Sequence, residues 1–288
     1  MKTIVVPFDF STNATHALAY ALQLSAVTYS PVLVFHVLHE SPYRLASATT
    51  PAEMDELIRF DEQEKIRELD KAIGELLPTL PVKINRELIS SKVQYHALIV
   101  EKTIEVAQAA EAGLIVMGTH GASGIRKWLF GSNTANMVAR CPIPVLAIPE
   151  QYAYKPISRL LYASDLENLE TELNTLIPFA IRLHAVIDVL HLDYGEHEKK
   201  ISTDTAERVL RNLPYQFIML HTVTADLNKS LMKQLNQSVQ SMQPEWLVMF
   251  TRGRSFWDRI FSGSRTEDMV QALPVPILSM KKPGASTT

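Results

Sequence analysis

The sequence predicts an α/β protein with two tandem domains, each built on a doubly wound sheet of five parallel strands. Two observations predict this fold. Short apolar segments of strand length alternate with longer segments that have helical spacing. Landmarks of the first half also recur in the same order in the second half, and 288 residues are enough for two domains of about 140 residues.

The strands and helices follow each other in one repeating order. The predicted helices of the first half begin near Asn13, Pro51, Tyr95 and Ser132. The predicted strands lie near residues 2–8, 31–38, 82–90, 113–118 and 144–149, and in the second half near 158–164, 186–192, 215–223, 245–250 and 276–281. Because sheets of this kind bind ligands at the carboxyl ends of their strands, we expect a ligand site there.

Four pairs of matching landmarks indicate a duplication. The pairs are Asp9 and Asp165, His36 and His191, Gly121 and Gly253, and Pro142 and Pro274, and they lie 156, 155, 132 and 132 residues apart. The drop of 23 residues predicts an insertion in the first half, for which the helical segment 51–77 is the candidate. We place the domain boundary at residue 150, which gives domains 1–150 and 151–288.

A glycine-rich segment, GTHGASGIRKWLFGS at residues 118–132, lies between a predicted strand and a predicted helix. Glycines let a backbone approach a ligand closely, and a helix start offers unpaired N–H groups to an anion. We predict Ser132 or Asn133 as the helix cap and interpret the loop as a phosphate site. A glycine-rich turn without a ligand is the alternative.

Two common phosphate-binding motifs do not occur in the sequence. The P-loop pattern G-x-x-x-x-G-K-[ST] is absent, and the first strand is followed by PFDFS at residues 7–11, which contains no glycine of a G-x-G-x-x-G fingerprint. The loop instead reads G-x-x-G at residues 118–121, nine further residues, and G-S at 131–132, after earlier strand ends V-P-F-D-F-S and F-H-V.

This pattern resembles that of the universal stress protein family, over nearly the whole chain as two tandem copies. The resemblance implies an adenine nucleotide alpha hydrolase-like, Rossmann-like domain that binds ATP or AMP, with Mg²⁺ as an optional companion. Single-domain members commonly dimerise through their last strand. The resemblance therefore implies an intramolecular pseudo-dimer through residues 144–148 and 276–280, and it leaves a homodimer open.

The resemblance also implies roles for individual residues of the first half. Asp9 accepts hydrogen bonds from ribose or adenine, Val37 contacts the adenine edge through its backbone, and Met117 lies beside the ribose with Gly118. Gly131 and other loop residues hold phosphates through N–H and hydroxyl groups. The expected contact residues are Pro7, Phe8, Asp9, Val37, Met117, Gly118, His120, Gly121, Gly131, Ser132, Asn133 and Thr134.

Some of these positions have alternative roles. Asp9 is also a candidate N-cap for the following helix, a role that Ser11 or Thr12 can fill equally. We interpret His36 and His191, at the ends of apolar strands, as packed and hydrogen-bonded histidines rather than as bases.

The second copy of the loop departs from the pattern. Phe250 replaces the first glycine, while Gly253, Gly263 and Ser264 keep the later positions. A phenylalanine ring beside the ribose blocks close approach, unless the ring turns into the core. We therefore expect one nucleotide per chain, bound in the first domain.

The function that we predict is that of a nucleotide-binding sensor or scaffold in a stress response. A slow ATPase or nucleotide-processing enzyme and a non-binding interaction protein are the alternatives, and no catalytic triad or metal-ligand cluster can be placed by motif. A net charge of −3 argues against a nucleic-acid partner. The most apolar stretch, residues 176–190, contains charged residues, so we expect no membrane span, and the single Cys141 fits a reducing, cytoplasmic compartment.

Overall fold

A computed structural model describes residues 2–38, 50–119, 131–195, 203–251 and 273–282 of the chain. Within these residues, ten strands form one sheet that is flanked by seven α-helices, which confirms the predicted α/β class. The strands are β1 (Ile4–Pro7), β2 (Val32–Leu38), β3 (Ile89–Tyr95), β4 (Leu114–Gly118), β5 (Val145–Ile148), β6 (Arg159–Ala163), β7 (Val186–Asp193), β8 (Ile218–Thr224), β9 (Trp246–Thr251) and β10 (Ile277–Lys281). The helices are α1 (Thr12–Thr28), α2 (Pro51–Leu76), α3 (Ile99–Ala109), α4 (Ser132–Arg140), α5 (Leu169–Leu183), α6 (Thr203–Asn212) and α7 (Leu231–Met242).

The order of the strands in the sheet is β3-β2-β1-β4-β5-β10-β9-β6-β7-β8. Each half contributes five neighbouring strands that run parallel to one another. In the first half the chain moves outward from β1 to β3 and then returns to β4 on the other side of β1. The carboxyl ends of β1 and β4 therefore lie at a point where the strand order reverses, which is where open α/β sheets bind ligands.

The two halves meet where β5 pairs antiparallel with β10, and Leu146 lies opposite Leu278. All of β5 is buried. A buried hydrogen bond spans the same junction, since Trp246 Nε1 donates to Tyr20 Oη at 2.6 Å. The predicted contact between the two final strands is thus present in the structure.

The register of the strands shows which positions of the two halves correspond. Gly118 of β4 lies opposite Ile148, and Phe250 of β9 lies opposite Met280, so both pairs are 132 residues apart. Phe250 therefore holds the position in the second half that Gly118 holds in the first.

The predicted insertion corresponds to a difference in helix length. The 26-residue α2 follows β2, whereas its counterpart α6 has 10 residues. Helix α2 begins at a capping box, in which Thr50 Oγ1 accepts the N–H of Glu53 and the Glu53 carboxylate accepts the N–H of Thr50. Pro51 at its first position is compatible with the helix because that N–H needs no intrahelical partner.

Two predicted boundaries are wrong. The strand predicted near 82–90 is β3 at Ile89–Tyr95, and the helix predicted from Tyr95 begins at Ile99. Strand β3 lies at the edge of the sheet and buries only Ile89 and Val93, so it lacks the continuous apolar run of the central strands.

Apolar side chains form one core layer on each face of the sheet. Helices α1, α2, α5 and α6 contribute to one layer, and α3, α4 and α7 contribute to the other. In the part of the chain that the structure describes, every helix is too short or too polar to cross a bilayer.

Candidate functional site

A cavity of about 420 Å³ lies at the carboxyl ends of β1, β2 and β4. It brings together all of the predicted contact residues that the structure describes. These are Pro7, Phe8, Asp9, Val37, Met117, Gly118, Gly131, Ser132, Asn133 and Thr134. The other two, His120 and Gly121, lie outside the described residues. Whether this cavity binds a nucleotide stays a prediction.

The turn from β1 into α1 presents Asp9 at the cavity. Ser11 is the N-cap of α1, because its Oγ accepts the N–H of Ala14 at 3.1 Å. Asp9 therefore does not cap the helix, and its exposed carboxylate accepts the N–H of Ser11 at 3.0 Å. Phe10 has a φ of 62°, in the left-handed region that aromatic residues rarely adopt.

The end of β2 is held by a histidine. His36 Nδ1 lies 2.6 Å from the carbonyl oxygen of Phe8, and since a carbonyl only accepts, Nδ1 donates. Burial lowers the pKa of His36, so the ring is neutral near pH 7. His191 Nδ1 makes the same contact with the carbonyl of Ser164, at 3.1 Å. Both histidines are hydrogen-bonded packing residues, in agreement with the sequence interpretation.

Backbone and side-chain hydrogen bonds connect the end of β4 to the start of α4. Gly131 N–H donates to the carbonyl of Thr119 at 2.6 Å. Thr134, only 2% exposed, donates its hydroxyl to the carbonyl of Gly118 at 2.9 Å. The hydroxyl proton of Thr134 is thus already used, which corrects the expected role of this hydroxyl as a phosphate donor. Thr134 instead fixes the helix against β4.

The start of α4 has no side-chain cap. Its N-cap is Gly131, not Ser132 or Asn133 as predicted, and no side chain bonds the first turn. Ser132 and Asn133 are exposed residues of that turn and line the cavity. The first N–H groups of a helix have no intrahelical partner and carry its positive dipole end, so this end of the cavity suits an anion.

Gly118 has a packing role that the sequence did not indicate. A Cβ added at this position would lie 3.0 Å from the carbonyl oxygen and 3.2 Å from the Cβ of Asn13 in α1. Glycine is therefore needed at 118 because α1 passes close to β4. Its backbone still lines the cavity.

Sequence reasoning missed five residues that line the same cavity. They are Ser11, Ala14, Phe35, Ile99 and Thr103. Ile99 and Thr103 lie one turn apart on α3, and Thr103 donates its hydroxyl to the carbonyl of Ile99 at 2.7 Å. Their spacing of four was a usable signal, but the helix had been predicted to start too early.

The equivalent end of the second half contains a smaller cavity of about 190 Å³. Lys282, which sequence reasoning did not identify, extends into this region and lies 2.7 Å from Asp165 Oδ2 and 3.4 Å from Glu172 Oε1. Glu172 is 1% exposed, and burial raises its pKa even though Tyr162 donates a hydrogen bond to it. Asp165, the counterpart of Asp9, is thus already paired with a cation of the chain.

The ring of Phe250 is turned into the core of the second half. It is 4% exposed and packs edge-on against Tyr162, with ring centroids 5.4 Å apart. The sequence left this orientation open. The ring also lines the smaller cavity. Gly253, Gly263 and Ser264 lie outside the described residues.

The sequence and the fold both resemble known proteins. The sequence model of the Universal stress protein family matches residues 1–149. A universal stress protein of Methanocaldococcus jannaschii is 28% identical over 153 residues, which are 52% of this chain and 84% of the relative. Universal stress protein A homolog 1 of Coxiella burnetii is 30% identical over 145 residues, which are 49% of this chain and 93% of the relative.

A solved structure extends the similarity of fold to almost the full length. The crystal structure of a universal stress protein from Archaeoglobus fulgidus covers 97% of this chain and 98% of its own, with a TM-score of 0.63 and 16% identity. The family match spans more than half of the 288 residues. The chain therefore belongs to the universal stress protein family.

Proposed function

We propose that the first half of the chain binds one adenine nucleotide, ATP or AMP, and acts as a sensor or scaffold in a stress response. The observation that carries this proposal is the cavity at the carboxyl ends of β1, β2 and β4, at the reversal of strand order. Its volume of about 420 Å³ lies in the range of small-molecule sites. Membership of the universal stress protein family supports the choice of ligand.

The donors and acceptors of the cavity are arranged from one end to the other. We assign the exposed carboxylate of Asp9 to ribose or adenine donors and the backbone of Val37 to the adenine edge. Met117 and Gly118 lie between them and belong beside the ribose. The uncapped start of α4, at Ser132 and Asn133, is where we assign the phosphates.

The proposed role is binding rather than catalysis. Asp9 is the one carboxylate among the described residues that line the cavity. Magnesium bound with ATP usually keeps several waters and is held largely by the phosphates, so we assign it no further protein ligand. ATP incubated with the protein should therefore be recovered intact, and turnover abolished by Asp9→Ala would instead support the slow ATPase.

The second half is not proposed to bind nucleotide. Lys282 neutralises Asp165, and Phe250 stands at the position of Gly118. We propose that the two halves are separate domains with a boundary at residue 150, that they form an intramolecular pseudo-dimer, and that the protein is cytoplasmic. The pairing of β5 with β10 supports the pseudo-dimer.

A glycine substitution tests the site. Gly131 has a φ of −63° and a ψ of 163°, which any L residue adopts, so Gly131→Val adds bulk at the cavity without backbone strain. Calorimetric titration with ATP and AMP should show loss of most of the affinity in this variant. Gly74→Val is the matched control, since a Cβ added there meets nothing within 4 Å.

Mass spectrometry of purified, undialysed protein should also detect a co-purifying adenine nucleotide. If folded Gly131→Val binds ATP as tightly as the wild-type chain, the site assignment is wrong. If the wild-type chain binds neither ATP nor AMP, the proposed function is wrong.

A further inference from the structure

The two outer strands of the sheet, β3 and β8, differ in how their free edges are protected. At β3, Glu62 of α2 accepts the N–H of Tyr95 at 3.0 Å, and Arg86 donates to the carbonyl of Ile89 at 2.8 Å. Lys92 also lies in this strand, and lysines on an edge strand oppose further pairing. The first-half edge is therefore capped by side chains.

Strand β8 is not capped in this way. Its odd-numbered residues bond to β7, since Phe217 C=O accepts from Ile187 and Ala225 N–H donates to Asp193. The even-numbered residues then direct their N–H and C=O groups away from the sheet. Among the described residues, no hydrogen bond satisfies these outward groups, which belong to Ile218, Leu220, Thr222 and Thr224.

The exposed side chains of this edge are apolar. Phe217, Met219 and Val223 are 64%, 46% and 45% exposed, and Leu227 beyond the strand is 78% exposed. Strand β8, with the sequence IMLHTVT, contains no lysine, arginine, aspartate or glutamate. An open, apolar, uncharged edge is a template for pairing with another strand.

We propose that β8 pairs antiparallel with β8 of a second copy of the chain, in a register centred on His221. The strand is self-complementary in this register. Leu220 pairs with the partner's Thr222 and Ile218 with the partner's Thr224, so that the outward groups of both copies form the hydrogen-bonded pairs. Met219 faces the partner's Val223 in a non-hydrogen-bonded pair, where side chains come closest.

The charges near the strand are compatible with this register. His221 Nε2 lies 2.7 Å from Asp188 Oδ1, and Asp188, which is fully buried, is also 3.3 Å from Arg159. The single titratable side chain of β8 is thus held towards β7 rather than towards the partner. The pairing continues the ten-stranded sheet across the two-fold axis and covers the exposed Met219 and Val223 of both copies.

The mass of the chain in solution tests the proposal, independently of nucleotide binding. Light scattering after size-exclusion chromatography should give the mass of two chains for the wild-type protein and of one chain for Val223→Lys. Val82→Lys is the matched control, because Val82 is 39% exposed and lies outside β8. Thr222→Pro removes only an outward N–H and should also give one chain. Circular dichroism establishes that each variant is folded.

Disulfide formation tests the register. Mixed Met219→Cys and Val223→Cys chains should form a disulfide between the two different chains, whereas each variant alone should form little. The native Cys141 is 2% exposed and contributes no background. A wild-type monomer, a dimer that persists in both Val223→Lys and Thr222→Pro, or failure of the mixed disulfide to form overturns the proposal.

Discussion

Two residues at one strand position show how side-chain size separates the two halves. Gly118 lets α1 pass within van der Waals contact of β4. At the equivalent position, Phe250 packs on Tyr162 in the core. The close approach that glycine allows in the first half is thus replaced by a packed ring in the second. The same substitution that fills the core also narrows the second cavity.

Lys282 stabilises the second half through its buried carboxylate partner. Lys282→Met leaves Glu172 without its cation, so the free energy of unfolding should fall by about 3 kcal/mol near pH 7. The pKa of Glu172 is raised by burial and lowered by Lys282, so it rises further in the variant. A carboxyl with a raised folded pKa loses stability as pH rises above its unfolded pKa.

Urea denaturation at pH 5 and pH 7 should therefore show a smaller defect at pH 5 than at pH 7. Glu172→Gln combined with Lys282→Met should recover part of the loss. An equal defect at both pH values would mean that the lysine acts only by packing.

Cys141 should be unreactive in the folded chain. Burial raises the pKa of its thiol to about 11, so almost no thiolate is present at pH 8. Alkylation by iodoacetamide, followed by mass spectrometry, should be slow in native protein and fast in urea. Rapid native labelling at pH 8 would show that the thiol is accessible and that its assignment to the core is mistaken.

At the scale of elements, the central strands were predictable and the edge was not. Strands β1 and β4 are buried on both faces, so their sequences are continuous apolar runs. Strand β3 has a polar exposed face and was placed too early. Helix α2 was located correctly from Pro51, because capping is a local property.

The candidate site was predictable to the same extent. Asp9 and Gly131 follow from local motifs at strand and helix ends. The hydrogen bond from Thr134 to Gly118 and the pairing of Lys282 with Asp165 join residues 16 and 117 positions apart. Such contacts depend on how the elements pack, and no local pattern in the sequence encodes them.

Helix α1 is positioned by the absence of a side chain at residue 118. Gly118→Ala places a Cβ 3.0 Å from a backbone oxygen of Asn13, which cannot yield as a flexible side chain would. We expect a loss of about 1–3 kcal/mol in unfolding free energy. Gly74→Ala, in α2 with open space around it, should instead stabilise by about 0.5–1 kcal/mol. Urea midpoints that shift in the same direction for both would contradict this account of Gly118.

At the scale of the whole molecule, the shared sheet joins the two halves energetically. Buried β5 and β10 are hydrogen-bonded neighbours, and Tyr20 and Trp246 connect α1 with β9. Arg182 of α5 adds a hydrogen bond to the carbonyl of Thr28 at 3.2 Å. Separating the halves would expose apolar strands and leave buried polar groups unpaired, so neither half gains by unfolding alone.

Nucleotide bound in the first half should therefore stabilise both halves together. At a free ATP concentration of about 100 times Kd, the expected gain in unfolding free energy is about 2.7 kcal/mol, provided that only the folded chain binds. Hydrogen exchange measured by mass spectrometry should slow in β6, β7 and β9 as well as in β1 and β4, because these strands exchange through the same global unfolding. The Gly131→Val chain, treated with the same ATP, is the control and should show no slowing. Protection confined to β1, β2 and β4 would mean that the first half unfolds on its own and that the pairing of β5 with β10 does not couple the halves.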